Sequence, residues 1–125
     1  MSEQSILIVD DEQDILDLIS YNLSKEGFKV HTAINGLEAV EMARNVRPDL
    51  VILDIMMPGM DGYDVCRTLR KHAETSAAAI MFLTAKSGEI DQVLGLELGA
   101  DDYIQKPISP RVLIARVKTI LRRGM

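Results

Sequence analysis

A single cysteine in 125 residues excludes an intrachain disulfide framework. Cys66 lies in a helical pattern beside Val65 and Leu69, so it reads as a buried, unpaired thiol rather than a catalytic one, which suits a reducing cytoplasm. Long apolar runs are also missing, so no segment reads as a membrane span, and no signal-peptide pattern is visible. Basic charge is scarce: the formal net charge is −5, and the only basic cluster is the terminal "RVKTILRR". A chain of this balance lacks the electrostatic footprint of a nucleic-acid binder, so any contact with DNA would need a separate domain. Linkers, low-complexity tracts and internal repeats are absent as well. What remains is ordinary globular material, 47% apolar and 26% charged, expected to fold as one domain over residues 1–125.

Short apolar runs rich in β-branched residues alternate with amphipathic segments along the whole length. The strands read as "SILIVD", "FKVHTA", "DLVILD", "AAIMFL" and "DYIQ". Between and after them, Ile15, Leu16, Ile19 and Leu23 recur at helical spacing, as do Ile90, Val93, Leu94 and Leu98, and then Leu113, Val117, Ile120 and Leu121. Boundary signals agree. Gly27 follows the first helix, Asn35 and Glu38 suggest a capping box for the second, and Ser109-Pro110 supplies a cap and a first-turn proline for the last. Alternation of this kind predicts a single doubly wound α/β domain, a five-stranded parallel sheet with helices on both faces.

The stretch "ILIVDDE" runs four apolar residues into Asp10, Asp11 and Glu12. Like charges at the edge of a core repel unless a cation sits among them, although acids there also suit the first turn of a helix. In an open parallel sheet, ligands sit beyond the carboxyl ends of the strands. That edge collects Asp10 and Asp11 from the first strand, Asp54 from the third, Thr84 from the fourth and Lys106 after the fifth. Three carboxylates without nearby His or Cys make a hard oxygen site suited to Mg²⁺, with Mn²⁺ as a substitute. Lys106 and Thr84 are the types of group that hold phosphoryl oxygens, and one carboxylate could serve as a nucleophile. Asp54 is the best candidate, since it ends the central strand and enters "IMMPGMDG", a loop with turn chemistry at Pro58-Gly59 and Gly62.

Together, "VDDE", "LDIMMPGMDG", "LTA" and "GADDYIQKP" resemble the receiver domain of two-component response regulators over essentially the full length, which implies a flavodoxin-like (βα)5 sheet with strand order 2-1-3-4-5. The resemblance implies a phosphoacceptor at Asp54 and Mg²⁺ held by Asp11, Asp54 and the backbone carbonyl of Met56, with Asp10 acting through water. It also implies phosphoryl binding by Thr84 and Lys106, with small Ala85 leaving the site open, and a cis Lys106-Pro107 peptide bond. The donor is then a histidine of a partner sensor kinase. The output is a switch in which Thr84 moves toward the phosphoryl group and Tyr103 swings into the vacated space.

The chain looks most like receivers of the winged-helix DNA-binding (OmpR/PhoB-type) subfamily, which dimerise through the fourth helix, fifth strand and fifth helix. Carried over, Asp102 would pair with Arg116, Asp101 with Arg123 and Glu97 with Lys118 across a homodimer. A further pair of that pattern is lost at Gln92 and Val112, which predicts a weaker dimer, and Ile108 stands where Phe is common. An interdomain linker would begin near 122–125. A stand-alone phosphorelay shuttle or protein-binding adaptor is the alternative. A haloacid-dehalogenase-type phosphatase is disfavoured because Met56 stands where it needs a second Asp, and a flavin carrier because "DDEQD" would repel a flavin phosphate. Met56, Met57 and Met60 read as an apolar loop, Met56 and Lys86 as modulators of water access, and His31 and His72 as surface residues.

Overall fold

The computed structural model describes residues 4–85 and 97–123. Five parallel strands run β1 Ser5–Val9, β2 Lys29–Ala33, β3 Leu50–Asp54, β4 Ala79–Thr84 and β5 Asp102–Gln105. They lie in the order β2-β1-β3-β4-β5 that the resemblance implies. Four helices are described: α1 Gln13–Lys25, α2 Gly36–Val46, α3 Gly62–Lys71 and the C-terminal helix Pro110–Arg123. The helix expected from Ile90, Val93, Leu94 and Leu98 lies largely outside the described residues, as do Lys86 and Gln92; Glu97 is the last helical residue of that stretch.

Strict alternation along the strands sorts the side chains into two cores. Ile6, Ile8, Leu50, Ile52, Met81, Leu83 and Ile104 face α1 and the C-terminal helix, meeting Leu16, Ile19, Leu23, Leu113, Val117 and Ile120. Leu7, Val9, Val51, Leu53, Ile80 and Phe82 face α2 and α3, meeting Ala39, Ala43, Val65, Cys66 and Leu69. Both faces of the sheet are covered, so the inner strands are apolar at consecutive positions, as the runs in the sequence require. Cys66 is free and buried, and burial pushes its thiol pKa up.

Helix boundaries follow local chemistry. Gly27 closes α1 with φ +92. Asn35 caps α2 by accepting from Glu38 N at 2.8 Å, but the Glu38 carboxylate accepts in return from the Ile34 N–H at 3.3 Å, one residue earlier than a capping box needs. A true capping box opens α3 instead, with Asp61 and Asp64 each accepting from the other's backbone N–H. Its D-x-x-D pattern is the signal that the glycine-centred reading of this loop passed over. Arg70, near the end of α3, donates to the carbonyls of Ser76 (2.9 Å), Ala78 (2.6 Å) and Gly99 (2.8 Å), and lies 3.9 Å from Asp101. One guanidinium thus ties three chain segments together at the amino ends of β4 and β5.

Ile52 is fully buried in the central strand, whereas Leu37 is 74% exposed. Ile52→Ala should therefore cost about 2–5 kcal/mol in urea denaturation, and Leu37→Ala should stay within about 0.5 kcal/mol of the parent.

Candidate functional site

Every strand runs toward the same edge, so the residue that ends each one is delivered there by the register. β1 and β3 are paired Val9 to Leu53, which places Asp10 and Asp54 side by side at neighbouring strand ends. Both are buried, at 0% and 3% exposure, and Thr84 at the end of β4 is 5% exposed. Lys106, just past β5, is fixed by its own backbone, since its N–H donates to the Thr84 carbonyl at 2.7 Å. The Lys106-Pro107 peptide is cis.

The Lys106 ammonium is the centre of the arrangement. Its Nζ lies 3.0 Å from Asp10 Oδ2, 3.6 Å from Asp54 Oδ2 and 3.7 Å from Glu12 Oε1. Asp11 is exposed beside them, and carboxylate oxygens of Asp10, Asp11 and Glu12 all come within 4.8 Å of one another. Glu12 is the member that the sequence list of site residues missed, although it sits in the acidic stretch that drew attention to the edge. It is also the residue that precedes α1, with no side-chain cap of its own. Its backbone N–H donates to Asp10 Oδ1 at 2.9 Å, and its carboxylate is left to face Lys106. The helix start and the acidic cluster are therefore one feature, with the positive end of α1 moderating the acids.

Burial pushes the Asp54 pKa from 3.8 up to about 6, helped by the Asp10 and Asp11 charges and opposed by Lys106 and the Met56 N–H. For Lys106, burial by itself favours loss of the proton, but Asp10, Asp54 and Glu12 outweigh it and raise the pKa above its ordinary value. The ammonium stays charged. Asp10 Oδ2 is buried, and the ammonium at 3.0 Å is its partner. Four carboxylates around one ammonium make an all-oxygen set with negative charge in excess, the chemistry that a hard divalent cation fits.

The loop 55–61 closes one side. Met56 N donates to Asp54 Oδ1 at 3.3 Å, and Gly62 N donates to Ile55 O at 3.0 Å. Gly62 has no room for a side chain: a Cβ there would stand 2.5 Å from the Asp54 carbonyl oxygen. Met57 is buried and Met56 is 72% exposed, so the apolar loop is split between cover and surface. Ile55, Met57, Pro58, Tyr63, Thr84 and Ala85 line a cavity of ≈ 700 Å³ next to Asp54. Tyr63 packs edge-on against Phe82 at 5.4 Å between ring centroids, and Phe82 lies 6.0 Å from Tyr103.

Residues 6–118 match the response regulator receiver domain family. The chain belongs to that family. This receiver superposes on chemotaxis protein CheY4 of Vibrio cholerae with a TM-score of 0.92, at 28% identity, covering 95% of this chain and 99% of the other. A CheY-like receiver domain protein from Methanospirillum hungatei gives 0.91 at 32% identity, over 98% and 96% of the two chains. The receiver domain of a signal transduction histidine kinase from Syntrophus aciditrophicus gives 0.85 at 39% identity, over 95% and 90%. These relatives support the receiver assignment, and the narrower likeness to the winged-helix subfamily gains nothing from them. Receiver domains generally bind Mg²⁺ at such an acidic pocket, here built around Asp10, Asp11 and Glu12.

The remaining expected residues fall away from the acids. Glu97, Asp101, Arg116, Lys118 and Arg123 are exposed, Asp102 is half-buried, and Ile108 is buried in the core beneath the C-terminal helix. His31 is half-buried in edge strand β2, and His72 lies 3.8 Å from Glu74. Among the described residues, no helix is long and apolar enough to cross a membrane.

A carboxyl group that holds its proton more tightly in the folded state than in the unfolded state costs stability as pH rises. For Asp54 that loss accumulates between pH 3.8 and about 6 and is complete above it. Asp54→Asn should therefore stabilise the metal-free domain at pH 7.5 by up to about 3 kcal/mol in urea denaturation. The gain should vanish near pH 4, where Asp54 is protonated.

Proposed function

We propose that this receiver is the phosphorylation-dependent switch of a two-component system and takes a phosphoryl group from the phosphohistidine of a partner sensor kinase onto Asp54. The observation that carries this reading is the convergence of Asp10, Asp54 and Glu12 on the Lys106 ammonium, at 3.0, 3.6 and 3.7 Å. Asp54 is the phosphoacceptor because it ends the central strand among these groups, beside the cavity that Ile55, Met56 and Thr84 line. One Asp54 oxygen attacks phosphorus, the P–N bond to the donor imidazole breaks, and its electron pair stays on that nitrogen. The product is an acyl phosphate on Asp54.

Asp11, Asp54 and the Met56 carbonyl would hold Mg²⁺, or Mn²⁺ in its place, with Asp10 acting through water. The ion supplies neutralisation of charge between the carboxylates and the transferred group. Lys106 keeps its proton in this field, so it can exchange a carboxylate for a phosphoryl oxygen as a point charge. Thr84 offers a hydroxyl donor from the adjacent strand end, and the small exposed Ala85 leaves the approach clear. Phosphorylation then favours the state in which Thr84 has moved toward the phosphoryl group and Tyr103 has swung into the space that Thr84 vacates. Moving such an equilibrium from mostly one state to mostly the other takes about 5.5 kcal/mol of differential binding.

The output is that of a stand-alone receiver, a phosphorelay shuttle or an adaptor whose β5 and C-terminal helix face a protein partner. The internal ion pairs favour this over a homodimer through that face. Arg116 meets Asp102 at 3.0 Å within the chain, and Lys118 meets Glu26 at 2.6 Å. Asp101 accepts from Ile80 N at 2.9 Å and faces Arg70. Dimer pairs from Asp102 to Arg116, Asp101 to Arg123 and Glu97 to Lys118 would replace these contacts, and Gln92 and Val112 withhold another. Exchanged surface pairs contribute little net affinity. The linker beginning near 122–125 belongs to the dimeric reading.

Intact-protein mass spectrometry with acetyl phosphate and Mg²⁺ should show a labile phosphoryl adduct on the native chain and none on Asp54→Ala. Adduct formation that survives the substitution would refute Asp54 as acceptor. Light scattering of the beryllofluoride-treated protein should return a monomer mass; a doubled mass would favour the dimeric output.

A further inference from the structure

Helix α2 starts against the loop that follows Asp54, and it comes closer than a side chain allows. Gly36, the buried first residue of α2, has no left-handed backbone to explain it, so its requirement is space. A Cβ at this position would stand 2.7 Å from Met60 Cβ, 2.8 Å from Met60 Cγ and 2.8 Å from the Met60 carbonyl oxygen. A change of rotamer moves neither the Cβ nor the carbonyl. On the other side of the same loop, Gly62 rests against the Asp54 carbonyl and the Ile55 Cα. The segment 55–61 is gripped between two glycines on two different helices.

We propose that Gly36 is a positioning residue of the phosphorylation site: its missing side chain lets loop 55–61 seat so that the Met56 carbonyl is available to the metal. The proposal rests on the Mg²⁺ role given above to Met56. A methyl group at position 36 forces either the helix or the loop to move, and the loop is the weaker of the two. Helix α2 is fixed by the Asn35 cap and by Ala39 and Ala43, both fully buried under the sheet. The loop instead exposes Met56, Pro58 and Gly59, the last at φ +73. Its ends are tied, at Ile55 by the backbone bond to Leu83 O and at Asp61 by the capping box. Displacement therefore falls on residues 56–60.

Calorimetric titration of the unphosphorylated protein with Mg²⁺ tests this without any transfer reaction. Gly36→Ala should weaken Mg²⁺ binding about tenfold or more, the scale typical of groups that orient metal ligands. Gly27→Ala, at φ +92 with no atom within 4 Å of the new Cβ, should lose stability with the Mg²⁺ affinity unmoved. Adding Met60→Gly to Gly36→Ala removes two of the three close contacts and should restore part of the affinity. An Mg²⁺ affinity within twofold of native in folded Gly36→Ala would overturn the proposal, and so would failure of that variant to fold, since the helix rather than the loop would then have yielded. Absence of Mg²⁺ binding by the native chain would instead overturn the metal reading itself, and this inference with it.

Discussion

One ammonium group among carboxylates organises this domain. Without Lys106, the sheet would end in Asp10, Asp54 and Glu12 with nothing of opposite charge between them, two of the three being almost fully withdrawn from water. Even with it, negative charge stays in excess, and Asp54 holds its proton more tightly than an ordinary carboxyl group. The folded state thus carries an electrostatic tension that solvent cannot screen. On the proposed reading the same charge excess is what a divalent cation would relieve, with Lys106 free to change partners without leaving its place. Folding and function meet in a group that the fold positions through a backbone bond to Thr84.

Much of this was legible in the sequence. The strands end where apolar runs meet acids or a Thr, and the rule for parallel sheets alone places Asp10, Asp54, Thr84 and Lys106 at one edge. Glu12 escaped because its position, just before a helix, already had a sufficient local reason to be acidic. The Asp61-Asp64 box escaped for a related reason: glycine and proline dominate the appearance of "MPGMDG", and a turn reading absorbed residues that in fact start a helix. Internal pairs such as Lys118 with Glu26 join elements far apart in the chain, so no local pattern encodes them. Carried-over intermolecular roles for the same residues therefore met partners that the sequence could not reveal.

Close approach is the second theme. Gly36 and Gly62 occupy the opening turns of two neighbouring helices and serve the same loop from different directions. The sequence marks both only as glycines next to caps, and turn chemistry is the natural reading of each. Their common role follows from packing density: where two backbones touch, even one methyl group is too many.

The Arg70 staple has a consequence for how position is passed through the domain. With the guanidinium bound to the carbonyls of Ser76, Ala78 and Gly99, the amino end of β5 is anchored to α3 and to the approach to β4. Strand β5 therefore starts from a fixed point. Paired with β4 along its length and tied again where the Lys106 N–H meets the Thr84 carbonyl, the strand hands the position set by the staple directly to the ammonium at the acidic edge.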